Sequence, residues 1–168
     1  LQGLHIEAAY LPAEEVAGDF YQVIEQAGNS ALIIVGDVSG KGLKAAMTGT
    51  LAIGALRTLA VENLSPAELL RRLNLQICEA KNGGFITCCC ARIDSQGTVT
   101  LANAGHLSPY SGGGEIEVPS GLPLGLVSEV DYAEIRFELP PGRALTLLSD
   151  GVVEASDTSG QLYGFERT

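Results

Sequence analysis

The sequence predicts an α+β domain with a largely antiparallel sheet system and its helices together on one face. Three observations predict it. Strand-like runs come first, two helical segments follow, and strands close the chain, with no βαβ alternation. Neighbouring strand-like runs are joined by short turns, as antiparallel neighbours are. The chain has 168 residues, 46% of them hydrophobic and 18% charged, which is enough for one folded domain with a full core and too little for two.

The elements follow in order. Leu4 to Leu11 reads as a strand, with turn chemistry at Pro12-Ala13. Asp19 to Gln26 reads as a second, ended by Gly28-Asn29, and Ala31 to Val38 as a buried, continuously apolar third. A helix is expected from about Leu43 to Glu62. A second helix starts at Ser65 as N-cap, with Pro66 at the first helical position and Glu68 closing a capping box. Leu69, Leu70, Leu73 and Ile77 fall on one stripe of it, and Asn82-Gly83-Gly84 ends it. Phe85 to Asp94 and Thr98 to Ala104 read as a hairpin across Ser95-Gln96-Gly97. Glu115 to Pro119, Tyr132 to Leu139 and Arg143 to Leu148 read as further strands, and Ser111 to Gly114 as a surface loop.

Charge and cysteine usage narrow the function. The net charge is −10, which argues against nucleic acid or an anionic membrane surface as the main partner. Cys88, Cys89 and Cys90 are adjacent in a strand-like run, so they point alternately to opposite faces and do not converge on one ion. With Cys78 they read as small hydrophobes in a reducing compartment, and the expected location is cytoplasmic. No signal peptide is visible, and the apolar run Ala45 to Val61 reads as a core helix rather than a membrane span. The chain begins at Leu1 without a methionine, so it reads as one domain excised from a longer protein.

Three aspartates lie next to glycine at the ends of apolar runs: Gly18-Asp19-Phe20, Gly36-Asp37-Val38 and Ser149-Asp150-Gly151. Asp beside Gly is common in ordinary turns. Together, however, three such acids can form an oxygen-ligand centre for Mg²⁺ or Mn²⁺. Two ions about 3.5–4 Å apart share a water and clamp a phosphate for in-line attack. Lys41 invites a nucleotide-binding reading, but the Walker spacing fails. Gly36 to Gly40 encloses three residues where four are needed, and Gly42 follows Lys41 where Ser or Thr should stand.

At this point the chain resembles the PPM (type 2C-like) metal-dependent serine/threonine phosphatases, in the bacterial SpoIIE/RsbU-like branch. The resemblance lies in Tyr10-Leu11-Pro12-Ala13 with Val16-Ala17-Gly18-Asp19-Phe20-Tyr21, and most specifically in Gly36-Asp37-Val38-Ser39-Gly40-Lys41-Gly42 with Ala45-Ala46-Met47. It continues in Ala102-Asn103-Ala104-Gly105-His106, Gly121-Leu122-Pro123-Leu124-Gly125, Ser149-Asp150-Gly151-Val152-Val153-Glu154-Ala155 and Tyr163-Gly164-Phe165-Glu166.

The resemblance implies two packed antiparallel sheets flanked by helices, an αββα sandwich. It implies two Mn²⁺ or Mg²⁺ ions and hydrolysis of phosphoserine or phosphothreonine by metal-activated water. Carried over, Asp19 and Asp37 ligate metal, with Asp37 bridging, the Val38 carbonyl adds a ligand, and Asp150 completes a shell. It implies signal transduction in sigma factor regulation, with a phosphorylated STAS-domain anti-anti-sigma protein as substrate, upstream sensor domains and homodimerisation through helices. Against the family pattern, Ala17 and Gln22 stand where a glycine and an acid are usual. The chain also stops at Thr168, before the segment that carries a further aspartate in the family, so the domain is expected to be C-terminally incomplete. The rival reading is a phosphatase-like module that recognises a signalling partner without turnover.

Other residues carry weaker expectations. Lys41, His106 and Gly151 are candidates for the site rim or for ordering its loops. For His106, donating a proton to the leaving alkoxide and orienting a loop are both open. His5 reads as structural and Asn103 as a turn-stabilising side chain. Glu154 and Asp157 read as solvated acids, although Glu154 falls within a family motif. Arg71-Arg72 reads as the exposed face of the second helix. Neither Arg57 nor Arg92 is singled out as a phosphate ligand.

Overall fold

The computed structural model describes residues 3–11, 18–80 and 84–167. The expected turn at Pro12-Ala13, Ala17 of the opening motif and the stop at Asn82-Gly83 lie outside these residues. Two antiparallel sheets and two long helices make up the fold. Strand β1 (Phe20–Gln26) and strand β2 (Ser30–Val38) form a hairpin. Helix α1 (Gly42–Ala60) and helix α2 (Pro66–Ala80) follow, then β3 (Ile86–Asp94) and β4 (Thr98–Ala104). Next come the short strands β5 (Tyr110–Ser111) and β6 (Gly114–Glu115), then β7 (Glu134–Glu138), β8 (Leu145–Thr146) and a one-turn helix α3 (Asp150–Val153). The larger sheet runs β1-β2-β3-β4-β7 and the smaller β6-β5-β8.

The period of two along the central strands builds two cores. Leu32 and Ile34 of β2, Cys88 and Cys90 of β3, and Ala102 and Ala104 of β4 face the helices and meet Leu56, Leu69, Leu70 and Leu73. The alternate residues Cys89, Ala91, Ile93, Val99 and Leu101 face the other way and meet Phe137 of β7, Leu145 of β8 and Leu147. Helices therefore cover one face of the large sheet and the small sheet packs on the other. Cys88, Cys89 and Cys90 split between the two cores as free thiols, and burial pushes all three up, Cys89 to about 12. They are inert packing residues, as expected from their adjacency.

Several expectations need correction. Among the described residues, Leu4 to Leu11 pairs with no strand. Leu4 and Ile6 are half-buried, which gives the alternating signal, but no ladder forms along the segment. The expected strand from Glu115 to Pro119 stops at Glu115. Ile116 N–H turns to the Pro109 carbonyl, and Pro119 has no N–H to donate. Arg143 to Leu148 contracts to Leu145–Thr146. The loop Ser111 to Gly114 is the tight turn of a β5–β6 hairpin, with Gly112 at φ +64° and Gly113 at φ +86°, the left-handed pair that a two-residue hairpin turn needs.

The start of α2 is also capped differently. Ser65 Oγ accepts from Glu68 N–H at 3.4 Å, so half of the capping box forms. The Glu68 carboxylate turns instead to Arg71 and Arg72 at 2.7 and 2.8 Å, and these hold its carboxyl down at about 2. Glu134 of β7 instead satisfies another free donor of the first turn, accepting from Ala67 N–H at 2.7 Å. Arg71 and Arg72 lie on the outer face of α2, as expected, but they are ion-paired there.

Candidate metal centre

Pairing of Phe20 with Gly36 puts Asp19 and Asp37 side by side at one end of the β1–β2 hairpin. The third acid comes from far along the chain, where the segment after β8 delivers Asp150 as the first residue of α3. Oxygens of Asp19, Asp37 and Asp150 all lie within 4.8 Å of one another. Asp19 and Asp37 are half-buried and Asp150 is exposed, so the cluster opens to solvent on one side.

Close packing of backbone makes this approach geometrically demanding. A Cβ at Gly18 would lie 2.7 Å from the Val38 carbonyl oxygen and 3.0 Å from Asp37 Oδ1, so only glycine fits next to the acid. Gly18 also accepts from Val38 N–H at 3.3 Å, which ties the two loops together. At Gly36 a Cβ would fall 2.6 Å from Phe20 Cζ, so glycine lets that ring cross the strand and reach the core. Gly40 at φ +100° and Gly42 at φ +71° turn the chain from β2 into α1.

The electrostatics are those of acids lacking a counter-charge. Asp19 Oδ2 accepts from Ser149 Oγ at 3.1 Å, while Asp19 Oδ1 is buried without a hydrogen-bond partner among the described residues. Burial raises the Asp19 carboxyl, Ser149 opposes that, and Asp150 adds to it. Burial likewise raises Asp37, joined by the negative charges of Asp19 and Asp150, and it titrates at about 6. An acid with a buried orphan oxygen, clustered with two more carboxylates, fits a hard cation.

The other expected residues are placed as follows. The Val38 carbonyl lies against Gly18 beside the cluster. Gly151 borders Asp19, but a Cβ there would sit 3.6 Å from Asp19 Oδ2, an ordinary contact, so sterics do not demand glycine. Lys41 is exposed and takes the N-cap position of α1 without a side-chain cap bond. His106 is buried, its Nδ1 is 2.8 Å from Thr87 Oγ1, and Thr87 is the register partner of Asp37. Burial lowers the imidazole to about 4 against the opposing pull of Asp150. Burial favours the neutral ring, and its contact with Thr87 ties the His106 turn to β3. Asn103 clamps the same turn, accepting from His106 N–H at 2.8 Å and donating to its carbonyl at 2.9 Å.

Glu154 is exposed, yet its charge reaches Asp37 and raises it further. Asp157 instead closes its own turn, accepting from Ser159 and Gln161. His5 is exposed and meets Glu7 at 2.9 Å, so its role is a surface contact and not a strand position. Arg57 donates to Gln22 at 2.9 Å, and Arg92 to Gln26 and the Leu64 carbonyl, so each is engaged away from the carboxylates. Ser149 and Tyr10 were not foreseen as site residues. Ser149 holds Asp19, and Tyr10 donates its hydroxyl to the Asp19 carbonyl at 3.2 Å. Their only signal in the sequence is that both stand within family motifs.

The family model for Stage II sporulation protein E (SpoIIE) matches residues 27–168. The phosphoserine phosphatase RsbU of Bacillus subtilis (strain 168) is 29% identical over 168 aligned residues, which cover 96% of this chain and 50% of RsbU. This chain thus spans about half the length of that relative. The SiaA-PP2C domain of Pseudomonas aeruginosa superposes with a TM-score of 0.76 at 27% identity, over 90% of this chain and 62% of that one. RsbX, solved in complex with magnesium, superposes with a TM-score of 0.63 at 17% identity, over 78% of this chain and 65% of that one.

Proposed function

This chain belongs to the SpoIIE family, and we propose that it is a Mn²⁺- or Mg²⁺-dependent protein phosphatase acting on phosphoserine or phosphothreonine of a regulatory protein. One observation carries the reading: three converging carboxylates from three separate family motifs, one of them with a buried oxygen that has no hydrogen-bond partner among the described residues. The phosphoserine phosphatase named among the relatives and the magnesium complex of RsbX support it. In this reading Asp19, Asp37, Asp150 and the Val38 carbonyl are the groups that would hold two divalent ions. Bound cations would lower the pKa of an attacking water and offset charge on the phosphate.

The chain's own residues account for the rest of the site. Ser149 fixes one oxygen of Asp19 and leaves the other free for a ligand. Gly18 allows the Asp19 and Asp37 loops to touch. The opening on the Asp150 side gives a phosphorylated side chain access. As substrate we propose a phosphorylated STAS-domain anti-anti-sigma protein, on the family resemblance. Among the described residues no helix is long and apolar enough to cross a membrane.

Phosphate release from such a phosphoprotein tests the reading. Turnover is expected with Mn²⁺, absent in EDTA, and restored when Mn²⁺ is returned. Binding of the phosphoprotein without turnover would favour a recognition module. Equal rates on the STAS protein and on an unrelated phosphoserine peptide would contradict the substrate assignment.

A further inference from the structure

We propose that Ser39 is a positioning residue for the metal loop, locking it to the start of β3 and so setting where the Val38 carbonyl and the Asp37 carboxylate meet a divalent cation. The inference rests on the reading of Asp19, Asp37 and Asp150 as metal ligands. The β2–β3 ladder ends where Val38 pairs with Ile86. One residue later Ser39 continues the contact in a different way. Its N–H donates to the Phe85 carbonyl at 2.8 Å, and its Oγ accepts from Phe85 N–H at 2.7 Å. The side chain supplies the acceptor that the ladder needs, at the last position before Gly40 turns the chain away at φ +100°.

The surroundings are shaped for that hydroxyl. Gly84 has φ +105°, and a Cβ there would come within 3.0 Å of Ser39 Oγ. The Phe85 side of the clamp is itself anchored, because Ile86 and Leu124 exchange backbone hydrogen bonds of 2.9 and 2.8 Å. On the opposite side, Val38 N–H reaches the Gly18 carbonyl at 3.3 Å. The Asp37-Val38 peptide is therefore held from both flanks, and Ser39 provides the one side-chain bond among these contacts. A neutral hydroxyl adds no charge to the centre, so its effect on metal is one of geometry.

The test is Mn²⁺ titration of the whole protein by electron paramagnetic resonance, run beside the Mn²⁺ dependence of phosphate release. Ser39→Ala is expected to weaken Mn²⁺ affinity about tenfold, the usual size for groups that orient metal ligands. Its turnover at saturating Mn²⁺ is expected to stay within about threefold of wild type, because the ligands themselves are intact. Ser39→Thr keeps the acceptor and is expected to restore wild-type affinity. Unchanged Mn²⁺ affinity in Ser39→Ala, with or without a fall in thermal stability, would overturn the proposal, as would failure of Ser39→Thr to restore it. Absence of saturable Mn²⁺ binding in the wild type would strike down the metal reading instead, and the inference with it.

Discussion

Asp37→Asn is expected to lower Mn²⁺-dependent phosphate release at least about a hundredfold, since changes to groups that merely support metal ligands already cost 10–100-fold. Asparagine keeps the size of the side chain, so the loss reports charge and not packing. The same substitution is expected to stabilise the metal-free protein. Asp37 titrates at about 6 in the fold against an ordinary 3.8, so the native state holds this proton more tightly than the unfolded chain does. Stability linked to Asp37 is then full below about pH 4 and is lost as pH rises through 6. Above pH 7 the deficit is on the order of 1–2 kcal/mol after discounting for solvent screening. Metal-free Asp37→Asn should therefore melt above wild type at pH 8, and the gap should close toward pH 4. Thermal melts in EDTA across that range check the second half, and full residual activity in the variant would contradict the first.

Asn74→Ala carries the largest structural effect. Asn74 is fully buried on α2. Its Nδ2 donates to the Val127 carbonyl at 2.7 Å and the Ser128 carbonyl at 3.2 Å, and its Oδ1 accepts from Gly125 N–H at 2.8 Å. This one amide pins the 124–128 loop to the helix layer. Removing it strands the Gly125 N–H and leaves a small cavity, at a cost of roughly 2–3 kcal/mol. For a chain of this length that is a fall in Tm of about 4–12 °C. Because Leu124 of the same loop bridges to Ile86 beside the Ser39 clamp, metal affinity is expected to fall with it. Calorimetric melts check the main effect. A loss of stability under about 0.5 kcal/mol, typical of a surface change, would contradict it.

Long elements were legible in the sequence because they repeat a pattern. β1 to β4 show turn signals at both ends, and the α2 stripe of Leu69, Leu70 and Leu73 matches a helix face. Elements of two to four residues show no period, so β5, β6, β8 and α3 were missed, shortened or overextended. Leu4 to Leu11 misled in the opposite sense, since alternation reports a half-buried face and not a ladder partner. Asp19, Asp37 and Asp150 were legible because each stands beside glycine at the end of an apolar run. The convergence of Ser149 on Asp19, or of Ser39 on Phe85, depends on tertiary contacts across 130 and 46 positions. No local spacing announces them. Cys88, Cys89 and Cys90 show the reverse case, where strand geometry alone assigned them correctly to two cores.

Asp19, Asp37 and Asp150 are proposed as a divalent metal centre. Isothermal titration of Mn²⁺ into the EDTA-stripped protein tests it most directly, with Asp19→Asn as the comparison. Saturable binding is expected in the wild type and its loss in Asp19→Asn, whose melting temperature in EDTA stays at or above that of the wild type. Equal Mn²⁺ binding by the two proteins, or phosphatase activity that persists in EDTA, would contradict it.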